Sequence, residues 1–184
     1  MAGSRGGALV KITQGELMQY KVKKDPKAVF IISAVFGLLS IMFMYVSMLG
    51  GANMLLNQLI MLFCGAACVY VIIRYAIFDY VYVLSDEAPY KIEIVKVSGH
   101  FPKTLAVIDM SESDILIKLE KDAKIPESIG KIYKKEDFCS NMFPKSKYLY
   151  VFEFESKKIA VKLEIDSEIA EILNTRINEL KNKI

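Results

Sequence analysis

The sequence is short of the residues from which most catalytic sites are built. It contains one histidine, His100, among 184 residues. A Ser-His-Asp triad needs its histidine beside a serine and a carboxylate, whereas His100 follows Gly99 in a predicted exposed turn. The sparse glycines form no GxxxxGK frame, so a phosphate-binding loop of that kind is excluded. We therefore expect a non-enzymatic protein with no cofactor and no metal site.

Cysteine is also scarce. Cys64 and Cys68 lie four residues apart in an apolar segment, and Cys139 is distant from both in the sequence. Three such cysteines provide no disulfide framework, which is typical of a reducing compartment. Cys64 and Cys68 would share a helix face, but zinc sites usually require four ligands. We expect them to pack between helices.

Charge is absent from one long stretch. No Asp, Glu, Lys or Arg occurs between Ala28 and Ile73, and Arg74 is the first charged side chain. A transmembrane helix needs about 20 apolar residues to cross a hydrocarbon core about 30 Å thick. The stretch accommodates two such helices, at 28–49 and 54–77, with an uncharged turn between them. This pattern predicts a transmembrane hairpin, and a hairpin buried in a soluble core is the alternative.

The charges on either side of the hairpin predict its orientation. Residues 1–27 have a net charge of +4, and residues 79–184 carry 17 basic and 19 acidic side chains, a net charge of −2. Basic residues beside a span stay on the cytoplasmic side and attract anionic lipid. We therefore expect both termini in the cytoplasm. The residues expected at the lipid interface are Lys21, Lys23, Lys24, Lys27 and Arg74.

Small and polar residues recur at helical spacing on one face of each predicted span. Small side chains let helix backbones approach, and hydroxyl or amide groups can hydrogen-bond across the contact. In an antiparallel hairpin, Ser40 would face Cys64, and Ser33 would face Val71. The residues expected to pack between the helices are Ser33, Gly37, Ser40, Ser47, Asn57, Cys64, Ala67 and Cys68.

After Asp79 the apolar residues alternate with a period of two, which is typical of half-buried antiparallel strands. In the last strand, Lys162 and Glu164 are expected on the solvent face. Asp166 fits the N-cap of an amphipathic terminal helix. The segment 17–22 fits either a short helix or a strand. The predicted strands are 80–84, 90–97, 104–109, 114–121, 148–155 and 158–165, with a further one within 129–138.

About seven strands followed by one helix resembles the pleckstrin-homology-like (PH-like) domain of bacterial membrane proteins that have two spans. The matching patterns are KTLAVIDMSESDI at 103–115, KYLYVFEFESKKIAVKLEI at 147–165 and EIAEILNTRINEL at 168–180. The resemblance implies an α+β membrane protein in the bacterial cytoplasmic membrane. Its two-helix transmembrane hairpin precedes an antiparallel β-barrel or sandwich with a C-terminal capping helix. Phosphoinositide-binding members have a basic first hairpin, whereas the turn at 85–89 is acidic here.

These features predict three parts: a basic cytoplasmic segment at 1–27, the hairpin at 28–78 and a cytoplasmic PH-like domain at 79–184. The expected function is that of a membrane-anchored interaction or scaffold protein. Its expected partners are membrane lipids and either another protein or a second copy, and its charge excludes nucleic acid. The alternative is an accessory subunit of a transporter or channel assembly. The lysines expected to face a partner are Lys124, Lys131, Lys134 and Lys135.

Overall fold

The computed structural model describes residues 8–10, 17–50, 53–85, 90–119 and 129–182. The chain forms two compact units. A helical unit contains residues 24–79, and an α+β unit joins residues 1–23 to residues 80–184. The sequence pattern sets residues 1–27 apart, whereas in the structure a strand from this segment belongs to the α+β unit.

The helical unit contains two long apolar helices. Helix α1 spans Pro26–Met48, and helix α2 spans Met54–Val71 and continues as a π-helical turn at Ile72–Ile77. The Asp25 side chain accepts a hydrogen bond from the Lys27 N–H at 3.2 Å, which caps α1. In the most apolar 18-residue segment of each helix, only 6% of the segment is buried in α1 and 11% in the second helix. Both helices are therefore long and apolar enough to cross a membrane, and they lack the buried surface of a soluble core.

The α+β unit begins with a five-stranded sheet in the order β1-β2-β3-β4-β5. The segment 17–22, whose sequence fits either a short helix or a strand, forms strand β2. This strand pairs antiparallel with β3. The Tyr20 ring of β2 stacks on the Tyr82 ring of β3, with centroids 6.2 Å apart. The strands are β1 (Ala8–Val10), β2 (Leu17–Lys21), β3 (Phe78–Ser85), β4 (Lys91–Ser98) and β5 (Phe101–Asp109).

The second sheet has four strands in the order β6-β8-β9-β7. Strand β7 runs parallel to β9, so the expectation of an entirely antiparallel structure was wrong. The segment 138–147 makes this arrangement possible, because it carries the chain from β7 at the end of the sheet past β9 to β8. The strands are β6 (Ser113–Lys118), β7 (Ile132–Asp137), β8 (Tyr148–Phe154) and β9 (Lys157–Leu163), and a 3-10 turn at Met110–Glu112 precedes β6.

Both sheets and the terminal helix contribute to one hydrophobic core. Helix α3 spans Ser167–Lys181, and its N-cap is Asp166, whose Oδ1 accepts a hydrogen bond from the Ile169 N–H at 3.0 Å. The helix buries Ile169, Ala170, Leu173 and Ile177 in the core. The predicted order of two apolar helices, strands and a terminal helix is therefore confirmed, as is the α+β class.

Strand β8 is buried on both faces, although its alternating pattern predicts a half-buried strand. One face carries Tyr150 into the main core. On the other face, Leu149 and Val151 pack with Ile129 and Ala160 in a second apolar cluster. Because β8 lies between β6 and β9 and has apolar residues on both sides, it forms the centre of the second sheet.

Candidate functional site

Hydrogen-bonded polar groups gather where the α+β unit is interrupted by the helical unit, and the side chains of Tyr80, Tyr82, Ser140 and Glu164 are buried there. Lys23 is the last residue of the α+β unit before this interruption, and Tyr80 is the first one after it. We call these two residues, together with four that hydrogen-bond to them or to each other, the junction cluster. Its members are Lys23, Tyr80, Tyr82, Ser140, Asn141 and Glu164.

Glu164 is the buried carboxylate of this cluster, with only 5% of its surface exposed. Its Oε2 accepts a hydrogen bond from the Asn141 backbone N–H at 2.9 Å, and its Oε1 accepts one from Asn141 Nδ2 at 2.7 Å. Burial raises the pKa of the Glu164 carboxyl, and the hydrogen bonds from Asn141 limit this rise. One asparagine thus satisfies both carboxylate oxygens.

The sequence pattern placed Glu164 on the solvent face of the last strand, and this expectation was wrong. Strand β9 ends at Leu163, and Leu163, Glu164 and Ile165 are all buried. Past the end of the strand the side chains no longer alternate between two faces. In a strand, Glu164 would point away from the face of its neighbours Leu163 and Ile165. Because the strand has ended, Glu164 is buried together with both of them.

The Tyr82 hydroxyl connects three segments of the α+β unit. It donates a hydrogen bond to the Phe138 carbonyl oxygen at 3.0 Å and accepts one from the Glu164 N–H, also at 3.0 Å. Burial raises the pKa of this phenol well above its ordinary value, so it stays protonated. The hydroxyl therefore joins β3, the segment after β7 and the segment after β9.

Ser140 and Asn141 form hydrogen bonds with the two residues at which the α+β unit connects to the helical unit. Asn141 Nδ2 also donates a hydrogen bond to the Lys23 carbonyl oxygen at 3.2 Å. Ser140 Oγ accepts a hydrogen bond from the Tyr80 N–H at 3.0 Å and lies 3.5 Å from the Tyr80 carbonyl oxygen, to which it donates. Two adjacent residues thus hold the chain at both sides of the interruption.

The helical unit has its own connection between its two ends. Lys24 Nζ lies 2.7 Å from Asp79 Oδ1 and donates a hydrogen bond to the Ala76 carbonyl oxygen at 3.0 Å. Lys24 and Asp79 are the first and last residues of this unit. A lysine expected at the lipid interface therefore also ties the base of the hairpin.

Cys139 lies beside the junction cluster but is poorly suited to react. Its thiol is buried, and burial raises its pKa, as do the charges of Asp137 and Glu164. Because the thiolate is the reactive form, this environment keeps the sulfur inert. Within the described part of the chain, no three His, Cys, Asp or Glu side chains gather as a metal site.

Three of the residues expected between the helices, Ser33, Ser40 and Cys68, take part in hydrogen bonds between α1 and α2. Ser40 Oγ donates a hydrogen bond to the Met61 carbonyl oxygen at 3.1 Å, and Cys68 Sγ donates one to the Ser33 carbonyl oxygen at 3.3 Å. Ser33 therefore contacts Cys68, one helical turn from the expected Val71. The remaining expected residues are either buried, as Ser47 and Cys64 are, or half-buried, as Gly37, Asn57 and Ala67 are.

Two adjacent alanines of α2 provide a test of this contact. Ala67 is half-buried, whereas Ala66 is exposed. We expect Ala67→Leu to lower the thermal stability of the chain in mild detergent, because the larger side chain would separate the helices. Gly37→Leu should act in the same way, since even a Cβ at Gly37 would lie 4.0 Å from Cys68 Sγ.

The matched control is Ala66→Leu, which adds the same side chain at an exposed position. Differential scanning fluorimetry of the two alanine variants should show a lower melting temperature for Ala67→Leu alone. Equal melting temperatures for both would mean that Ala67 faces lipid and does not belong to the contact.

The charged residues expected to meet lipid or a partner are largely on the surface. Lys21, Lys23 and Lys27 are exposed. The Arg74 guanidinium lies 5.0 Å from the centroid of the Tyr75 ring. The lysines expected to face a partner are placed as follows: Lys131 precedes β7, Lys134 and Lys135 lie on it, all three are exposed, and Lys124 falls outside the described residues.

Comparisons of the chain with protein-family models, curated proteins and solved structures find no match. The sequence pattern did not single out Asn141, and it predicted a buried position for neither Tyr82 nor Glu164. One signal in the sequence pointed to the burial of Glu164. Because Asp166 was expected to cap α3, the strand had to end before Asp166, and alternation could not be relied on at Glu164.

The raised pKa of Glu164 predicts a pH dependence of stability. The folded state binds the Glu164 proton more tightly than the unfolded state does. Its contribution to stability is fully present below the ordinary pKa of 4.5 and is lost as the pH rises through the raised value. Relative to Glu164→Gln, which does not titrate, the wild type should therefore lose stability over this window.

Urea unfolding of the full chain at several pH values measures this difference. Glu153→Gln makes the same change at an exposed carboxylate and is the control. A wild type that gains stability over Glu164→Gln as the pH rises above 4.5 would contradict the raised pKa.

Proposed function

We propose that this chain is a non-enzymatic membrane protein whose helical hairpin anchors an interaction or scaffold domain at the cytoplasmic face of a bacterial membrane. The observation that carries this proposal is the apolar surface of the two helices. Phe30, Leu38, Leu55 and Phe63 are among the many large apolar side chains that they expose. Soluble proteins rarely expose apolar patches of this extent, whereas a lipid core accommodates them.

The charges at the ends of the helices support the cytoplasmic orientation. Lys23 and Lys24 lie just before α1, Lys27 lies in its first turn, and Arg74 lies near the end of the second helix. The turn between the helices contains no charged residue. Because basic residues next to a span remain in the cytoplasm, both outer ends of the hairpin belong on that side.

The α+β unit is proposed to be a PH-like interaction domain. From Phe78 onward, the described residues form seven strands, β3 to β9, followed by α3. Two sheets and a helix around one core support this assignment. The parallel pair β7–β9 and the added strand β2 are departures from it.

The partner of this domain is proposed to be another protein or a second copy of the chain. Strand β7 is an edge strand of the second sheet, and its residues Lys134 and Lys135 are exposed. Lys134 is paired with Glu136 on the same strand, which leaves a surface of mixed charge. A surface of this kind suits a polar protein contact better than a nucleic acid.

A groove beside α1 favours a second candidate function, that of an accessory subunit in a transporter or channel assembly. This groove has a volume of about 450 Å³ and is lined by Val29, Phe30, Ser33 and Ile72, among others. The Ser33 hydroxyl is buried there and has no hydrogen-bond partner among the described residues. A transmembrane helix of another subunit could fill this groove and bind the hydroxyl.

Two measurements test these proposals. Alkaline carbonate should leave the full chain in the membrane pellet, and its release would contradict the anchor. Purification in mild detergent then separates the two functions. A mass equal to one or two copies favours the interaction protein, and a membrane partner present in stoichiometric amount favours the accessory subunit.

A further inference from the structure

An aromatic side chain is exposed on the loop between β7 and β8. Phe143 has 68% of its surface in solvent, although the unit has a well-packed aromatic core. Pro144 and Lys145 follow it, and no acidic residue occurs between Asn141 and Lys147. The loop therefore combines an exposed ring with positive charge.

This loop is held at both of its ends. On one side, Asn141 is bound to the Lys23 carbonyl oxygen, as described above. On the other side, Ser146 Oγ donates a hydrogen bond to the Ile165 carbonyl oxygen at 2.6 Å. Phe143 thus lies between two fixed points, and its exposure is a feature of the fold.

The hydrogen bond to Lys23 holds the loop close in sequence to the beginning of α1. Lys23 precedes Pro26, the first residue of α1, by three residues. Ser140, which precedes the loop, holds Tyr80, three residues after the π-helical turn ends at Ile77. The loop is therefore bound to the α+β unit close in sequence to both points at which the chain connects to the helices.

Lysines outnumber carboxylates among the exposed side chains near these connections. Lys21, Lys23 and Lys145 are exposed, and the two exposed carboxylates, Asp25 and Asp137, are each bound within the chain. Glu164 is bound by Asn141, and Asp137 lies 3.2 Å from Lys162 Nζ. An anionic surface would therefore be attracted to this end of the α+β unit.

We infer that the loop 141–147 is a second membrane contact, in which Phe143 enters the interface of an anionic lipid bilayer and Lys145 faces its headgroups. Aromatic rings favour the interfacial region, and lysines beside it are attracted to anionic lipid. The inference rests on the proposed membrane anchor and adds to it. It gives the α+β unit a fixed attachment to the lipid surface besides its covalent connections.

The chain contains its own control for this contact. The tripeptide Phe-Pro-Lys occurs twice, at 143–145 and at 101–103. Phe101, at the turn between β4 and β5, is 82% exposed, and Lys103 is also exposed. Neither Phe101 nor Lys103 follows a residue fastened to Lys23 or Tyr80. The sequence contains no tryptophan, so one placed at either phenylalanine is a unique reporter.

The experiment uses the full chain with Phe143→Trp or Phe101→Trp, reconstituted into vesicles of phosphatidylcholine and phosphatidylglycerol. Brominated acyl chains quench tryptophan that lies in the bilayer, and iodide quenches tryptophan in water. We expect Phe143→Trp to show blue-shifted emission and at least twofold quenching by brominated lipid. Phe101→Trp should emit as in water and be quenched by iodide.

The outcomes separate this inference from the anchor itself. If Phe143→Trp emits as in water while the chain floats with the vesicles, the membrane contact is wrong and the anchor stands. If the chain does not float, the anchor is wrong. Equal bromine quenching at both sites would overturn the specific role of the loop. In the Phe143→Trp background, Lys145→Glu should reduce bromine quenching, and unchanged quenching would overturn the role of anionic lipid.

Discussion

Replacing Tyr20 with alanine should destabilise the α+β unit by about 3–5 kcal/mol, the usual cost of truncating a buried aromatic side chain. Tyr20 is 2% exposed and stacks on Tyr82 in the main core. Although it lies ahead of the helical hairpin in the sequence, its contacts are with strands that follow the hairpin. Urea unfolding of the full chain in mild detergent, followed by the β-sheet infrared band, measures the loss.

Leu17→Ala is the matched control, because Leu17 lies on the same strand and is exposed. Substitutions at exposed positions usually change stability by about 0.5 kcal/mol or less. A Tyr20→Ala variant as stable as Leu17→Ala would show that β2 is not part of the folded unit. The same outcome would mean that residues 79–184 are a complete domain.

Tyr82→Phe should destabilise the same unit by about 2–6 kcal/mol. The change keeps the ring but removes the hydroxyl that joins the Phe138 carbonyl and the Glu164 N–H. Each buried group left without a partner costs about 1–3 kcal/mol. The same urea titration measures the effect.

Tyr133→Phe removes a hydroxyl from an exposed tyrosine and should have little effect on stability. If Tyr82→Phe is equally harmless, the junction cluster does not hold the three segments together. In that case the stability losses of Tyr82→Phe and Asn141→Ala should add in the double variant. A connected network predicts instead that the loss in the double variant differs from the sum of the two.

The helical hairpin could be predicted because its signal is local. A run of apolar residues and the charges at its ends are visible in a single stretch of sequence. The amphipathic pattern of α3 and its cap at Asp166 are local in the same sense. These elements agree with the structure because no distant residue decides them.

Strand pairing depends on distant residues, and there the sequence was less informative. Leu17 pairs with Ser85 across the whole hairpin, and a five-residue strand is too short to reveal its own type. The parallel direction of β7 against β9 leaves no trace in the alternation of either strand. Pattern alone therefore placed neither β2 in its sheet nor β7 in its orientation.

The junction cluster was missed for a related reason. Glu164 is polar, and alternation assigns a polar residue near the end of a strand to solvent. Its burial depends on Asn141, which is 23 positions earlier and lies in a loop with no periodic pattern. Only the folded structure shows that one side chain serves both the carboxylate and the Lys23 carbonyl.

Cysteine accessibility in intact cells tests the central claim most directly, which is a spanning hairpin with both outer ends in the cytoplasm. The native cysteines give little background, because Cys64 and Cys68 lie in α2 and Cys139 is buried with a raised pKa. We predict that an impermeant maleimide labels Ala52→Cys in intact cells and labels Ala2→Cys and His100→Cys only after permeabilisation. Labelling of Ala2→Cys and His100→Cys in intact cells, with Ala52→Cys protected, would contradict the orientation, and equal labelling of all three would contradict the span.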